Sequence, residues 1–188
     1  MSGMNPSTGP SPAAYPRYPR EIAAAVTLRA AASALVAPGA PEPPGAGAVA
    51  LVTACGALAT RLALIRFIAG ASDVDPGEVR PVDSFTEPTP DALHGVGPAP
   101  DRDRVRLAGD RCVAAGPRWR DDHSVPDADA EIGVAGALAL GAWCSWALGS
   151  EAKAAVRARY ALDVNPLDPL AGLVLRSTKA GSGPTWAG

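Results

Sequence analysis

The residues best equipped for chemistry in this chain are Cys55 and Arg61, separated by the five residues Gly56 to Thr60. A C-x5-R spacing between a strand and a helix is how a phosphate loop is built around a nucleophilic cysteine. Loop amides and a helix N-terminus hold the oxyanion and depress the thiol pKa, and Arg neutralises the bound charge. The interior departs from that need. After Gly56 the run Ala57-Leu58-Ala59-Thr60 reads as the first turn of an ordinary helix, and no His or general acid accompanies it. Cys55 is therefore read first as a buried structural cysteine. A cysteine-dependent phosphoryl or oxyanion-handling enzyme using Cys55 and Arg61 is the alternative.

Other candidates are weaker. His94 and His123 are the two imidazoles, and Asp121-Asp122-His123 could begin a metal site. Three or four convergent ligands are needed, and neighbours on one loop rarely converge, so no metal and no cofactor is expected. Arg102, Arg104 and Arg106 alternate as on one strand face and are interleaved with Asp101 and Asp103, which reads as a solvated face. With a net charge of −2 and a pI near 5.7, the chain is not expected to hold nucleic acid.

The elements that must position these groups are modest. The apolar fraction is 47%, but aromatics are only 5%, so Ala and Gly supply much of the apolar content and bulk per residue is low. Three cysteines, Cys55, Cys112 and Cys144, make neither a disulfide framework nor a metal knuckle, and a cytoplasmic location is expected. Lys occurs only at Lys153 and Lys179, with Arg at the other basic positions, which reads as coding bias. Residues 1–20 read as a disordered tail rich in Pro, Ser and Gly.

Four units are expected: the tail, a small α/β unit over 21–90, a loop-rich linker over 91–126 and a helical unit over 127–188. Glu21 to Ala37 should be a helix stopped at Pro38-Gly39. Ala48 to Thr53 reads as a buried strand, the residues after Gly56 as a helix ending at Gly70, and Val79 to Phe85 as a returning edge strand. This strand-helix-strand core gives an α/β or α+β class. The segment around Ala108-Gly109 suggests a short strand pair. Further helices are expected from Asp127 to Gly149, from Ser150 to Val164, and from Pro169 to Lys179. Ile132 to Leu148 barely reaches the length of a membrane span, and its Gly133, Ala137 and Gly141 suit a buried bundle helix better.

Two resemblances attach to the last third. Gly149-Ser150-Glu151 to Ala154, then Ala161-Leu162 and Asn165-Pro166, are similar in spacing to the second helix of a tetratricopeptide repeat. AWCSWALG, an Ala-rich helix ending in AL, NP followed by PLAGLVL, and a final AG with Pro184 and Trp186 resemble the C-terminal part of an actinobacterial family, domain of unknown function 4192. That family has no established activity, so the resemblance implies no catalytic residues.

The expected role is protein-protein interaction or assembly, with another protein or a second copy as partner and no membrane. Trp143, Trp146, Tyr160 and Trp186 are the expected interaction surface or core of the helical unit, because large aromatics concentrate burial energy in an Ala-rich chain.

Overall fold

The computed structural model describes residues 19–122 and 128–187. Seven α-helices run through them: α1 Pro19–Val36, α2 Gly45–Ala54, α3 Leu58–Ala69, α4 Arg102–Asp122, α5 Ala128–Ala147, α6 Glu151–Val164 and α7 Pro169–Lys179. Helix accounts for 71% of the described residues and strand for none, so the α/β class and its strand-helix-strand core are overturned. The expected tail lies almost wholly outside the described residues.

Both expected strands fail for identifiable reasons. Ala48 to Thr53 lies inside α2, which is apolar nearly all round because α1, α4 and α5 pack about it. A short run buried on every side carries no periodicity, so a helix and a central strand look alike in sequence. Val79 to Phe85 is irregular chain after a 3₁₀ turn at Pro76–Glu78, with no neighbouring strand to pair with. It is anchored instead by buried Val82, whose N–H donates to the Ala59 carbonyl at 3.1 Å.

The expected loop-rich segment holds α4, the longest helix. Asp101 opens it by accepting the N–H groups of Asp103 and Arg104 at 2.9 and 3.0 Å. Its buried residues Val105, Ala108, Cys112 and Ala115 follow a helical repeat, and this signal was available in the sequence. Gly109 is not a turn. A Cβ there would stand 2.7 Å from the Cys144 Cβ, so this glycine lets α4 approach α5.

Helix α5 is the hub. Its residues from Gly133 to Ala147 are buried with the single exception of Leu138, which is half-buried, and α2, α4, α6 and α7 all contact it. It would be long and apolar enough to cross a membrane by composition alone, yet here its flanks are covered by neighbouring helices. Glycines make that crowding possible. A Cβ on Gly133 would lie 2.3 Å from the Val52 carbonyl oxygen, and one on Gly136 would lie 2.1 Å from that of Cys55. The end of α2 thus rests directly on the α5 backbone, where only Cα–H groups meet the carbonyls.

Helix α5 ends as its Gly149 foretold, in the left-handed region at φ 77°. The Gly149 N–H donates to the Trp146 carbonyl and the Ser150 N–H to that of Ser145. Helix α6 then folds back, burying Ala154, Ala158 and Ala161. Asn165-Pro166 stops it, and Asp168 caps α7 by accepting the Ala171 N–H at 2.9 Å.

The C-terminal tail closes the unit. Trp146 Nε1 donates to the Ser182 carbonyl and Trp186 Nε1 to that of Ala147. Thr185 donates through N–H and hydroxyl to the Gly95 carbonyl, which joins the 3₁₀ turn at Asp91–His94 to the same cluster. One continuous apolar core results, running from α1 to α7.

Substituting Gly136→Ala should destabilise the protein by about 2–3 kcal/mol, because the added methyl meets backbone that cannot rotate away. Gly183→Ala, where a Cβ meets nothing within 4 Å, should cost little. Urea denaturation followed by tryptophan fluorescence measures both.

Candidate functional site

The corner between α2 and α3 carries Cys55 and Arg61, and its shape decides what they can do. The two helices meet at 117°, with Cys55 closing α2 and α3 beginning at Leu58. Gly56 N–H donates to the Thr53 carbonyl at 3.0 Å and Arg61 N–H to that of Ala57 at 3.2 Å. The Thr60 hydroxyl donates back into the corner, toward the Ala54 carbonyl, with the Ala57 carbonyl 2.8 Å away. Side chain and main chain here close a helix–corner–helix, not an open loop around an anion.

Cys55 is fully buried, and burial pushes its thiol up to about 12. The nearby Arg61 charge opposes that rise and the Asp168 charge adds to it. A thiol so placed stays protonated near neutral pH and supplies no thiolate. Arg61 is occupied elsewhere. Its Nη1 donates to Asp168 Oδ2 at 2.6 Å, with the two side chains 5% and 0% exposed.

Sequence reasoning did not find Asp168 as the partner of Arg61. The two are 107 residues apart, and no local pattern links the first turn of α3 to the N-cap of α7. One carboxylate does two jobs: Oδ1 caps α7 and Oδ2 holds Arg61. Gly136 makes room for the guanidinium stem, since a Cβ there would stand 3.2 Å from Arg61 Cδ.

Two further arginines act in the same manner. Arg111, buried on α4, donates to the Ala34 carbonyl near the end of α1 at 2.8 Å and twice to the Ala40 carbonyl. That places a cation where the helix dipole is negative. Arg157 on α6 donates to Gly141 O and Ser145 Oγ of α5, and to Asp110 Oδ1 of α4 at 2.6 Å. Asp110 is partly buried, which would raise its pKa, but hydrogen bonds from Arg157 and Lys153 outweigh this and hold the carboxyl below the usual range.

Arg102, Arg104 and Arg106 do not share a face. On a helix, Arg102 and Arg106 lie one turn apart on one side, while Arg104 turns away and stacks 4.3 Å over the Phe67 ring. Its guanidinium also donates to the Phe67 and Ser72 carbonyls.

His94 is exposed at the end of its 3₁₀ turn and Asp121 on the last turn of α4, while His123 lies outside the described residues. Among the described residues no group of His, Cys, Asp or Glu is placed to hold a metal. Of the aromatics singled out, Trp143 is fully buried, Trp146 is 4% exposed, Trp186 is half-buried, and Tyr160 stands out at 59%. No protein-family model, curated protein or solved structure matches the chain.

Two outcomes are expected. Breaking the buried pair with Arg61→Met or Asp168→Asn should each cost about 3–5 kcal/mol, since the survivor is left buried and unpaired. The double variant should lose clearly less than the sum of the two, as urea midpoints in a double-mutant cycle would show. Separately, Cys55, Cys112 and Cys144 are all fully buried, so the native protein should react with a thiol reagent at pH 8 only as fast as it opens. Rapid labelling of Cys55 in the folded state would overturn its description as an inert core thiol.

Proposed function

We propose that the chain is a binding module, a preformed helical unit that engages another protein or a second copy of itself through the outer face of α6. One observation carries the reading. Val156 and Tyr160, a turn apart on α6, are 46% and 59% exposed, while the inner side of the same helix is a closely packed Ala seam. Leu167, on the turn that follows, is 88% exposed.

Large apolar side chains placed a turn apart on a helix that already has a complete inner face are the pattern of a helix read by a partner. Tyr suits such a role because it supplies apolar area with a polar tip and loses little conformational freedom. The tetratricopeptide-like spacing of α6 supports the same reading by analogy, since such helical pairs commonly serve as scaffolds for recognition.

A photo-crosslinking amino acid placed at position 160 of the full chain tests this in the native host. The expected result is a discrete adduct from position 160 and none from position 103 on the exposed charged side of α4. Adducts of this chain with itself would identify a second copy, and adducts of another mass would identify a partner protein. No adduct from position 160, or the same adducts from both positions, would overturn the assignment. The variant Tyr160→Glu should abolish the adduct-forming association in gel filtration while leaving the thermal midpoint within a degree or two, because exposed substitutions away from packed features are nearly neutral, about 0.5 kcal/mol or less.

A further inference from the structure

A second feature, independent of the apolar stripe, lies where α4, α5 and α6 meet. A groove of about 150 Å³ opens there, with Arg102 and Arg106 of α4 on one wall and Lys153 and Arg157 of α6 on the other. Its polar lining is completed by Asp110, Ser145 and Ser150, above Cys144 and Leu148. The chain as a whole is slightly acidic, so four cations around one small concavity are a local concentration of charge.

The carboxylates present leave that charge only partly balanced. Asp110 is shared between Arg157, at 2.6 Å, and Lys153, at 3.3 Å. Arg106 pairs with Asp103, whose side chain is 90% exposed, so solvent screens the pairing. Arg102 forms no ion pair with any described residue. The lining itself thus holds four cations and one carboxylate, and Arg102 alone among the four has no ion pair with a described residue.

The donors are held in place before any ligand arrives. Arg157 is nearly buried, and its guanidinium is fixed by Gly141 O, Ser145 Oγ and Asp110 on three sides. Such fixing lowers the ordering cost of binding. Ser150 stands at the start of α6 without making the side-chain cap usual there, so its hydroxyl is uncommitted.

From this we infer that the groove is a site for a single tetrahedral dianion, inorganic phosphate or the phosphoryl group of a soluble phosphomonoester. Size sets the class. A volume of about 150 Å³ falls short of the ~300 Å³ at which drug-sized ligand pockets begin. One phosphoryl group fits, with any organic remainder left in solvent. Guanidinium groups match its oxygens two at a time, which a halide cannot exploit.

The experiment is a titration of the full-length ¹⁵N-labelled protein with inorganic phosphate at constant ionic strength, repeated with chloride and with phenyl phosphate. The expected result is saturable shifts of the Ser145, Ser150 and Lys153 amides, which belong to lining residues, with phosphate and phenyl phosphate but not with chloride. Arg102→Gln and Lys153→Gln, both at exposed positions, should each weaken binding by about tenfold. Arg29→Gln, an equal loss of charge on α1, should leave it unchanged. Shifts that never saturate, that chloride reproduces, or that Arg29→Gln weakens as much would show diffuse screening and overturn the site. Flotation with vesicles containing phosphatidic acid separates the remaining source: capture by vesicles without a response to either soluble phosphate would overturn the soluble-anion assignment.

Discussion

The buried ion pair between Arg61 and Asp168 is the constraint on which the remaining geometry hangs. Both side chains are almost fully removed from water, and two charges so placed are tolerable only when each faces the other at hydrogen-bonding distance. That condition can be met only if α3 lies against the start of α7, which in turn requires the α2–α3 corner and the end of α6 to be where they are. Gly136 of α5 belongs to the same arrangement, since its missing side chain admits both the Cys55 carbonyl and the Arg61 stem. Four parts of the chain therefore fit at one point or not at all. Such a device adds little net stability compared with an apolar substitute, but it disfavours packings in which either charge would stand alone.

This logic extends through a core with little apolar bulk. Ala and Gly let helices come close but leave few side chains to interlock, so close approach has to be specified by other means. Arg111 holds the end of α1 against α4, and Arg157 holds α6 against α4 and α5. With Arg61 they form three cross-braces: Arg61 reaches one carboxylate, Arg111 two carbonyls, and Arg157 a carbonyl, a hydroxyl and a carboxylate. A lysine offers one rotating point charge and could not span the same partners. The preponderance of Arg over Lys, which reads as coding bias in sequence, is thus used structurally at three buried or nearly buried positions.

Helix α6 shows how one short element can serve several ends. Ala154, Ala158 and Ala161 make the seam that buries it against α5. Lys153 and Arg157 turn to the groove shared with α4, and Val156 and Tyr160 turn outward. The small seam is what makes the division possible, because a bulky inner face would push α6 away from α5 and break the Arg157 contacts. The C-terminal tail complements it by covering Trp146, so that Trp143 and Trp146 end up inside the fold, Trp186 is half-buried, and Tyr160 is left as the exposed aromatic of that group.

What the amino-acid sequence determined by itself was local. Prolines and glycines with their neighbours placed the ends of α1, α3, α5 and α6; Asp168-Pro169 started α7; and Gly133 and Gly141 marked α5 as a helix that others approach closely. These features act within a few residues, through missing donors, fixed φ, left-handed backbone and caps, and so leave a readable trace. The repeat of Val105, Ala108, Cys112 and Ala115 was equally local, although Ala108-Gly109 also suited a turn. What only the tertiary structure decided was everything that depends on which surfaces meet. Whether Ala48 to Thr53 became helix or strand was settled by α1, α4 and α5 closing round it. The chemistry of Cys55 and Arg61 was settled the same way. Their spacing suits a phosphate loop, but a thiol acts as a nucleophile only where water or a cation stabilises its anion, and an arginine buried against its carboxylate has no open side to offer a ligand. The fold buries the first and pairs the second with a residue 107 positions away, and instead gathers cations from α4 and α6 around a groove that no stretch of sequence displays.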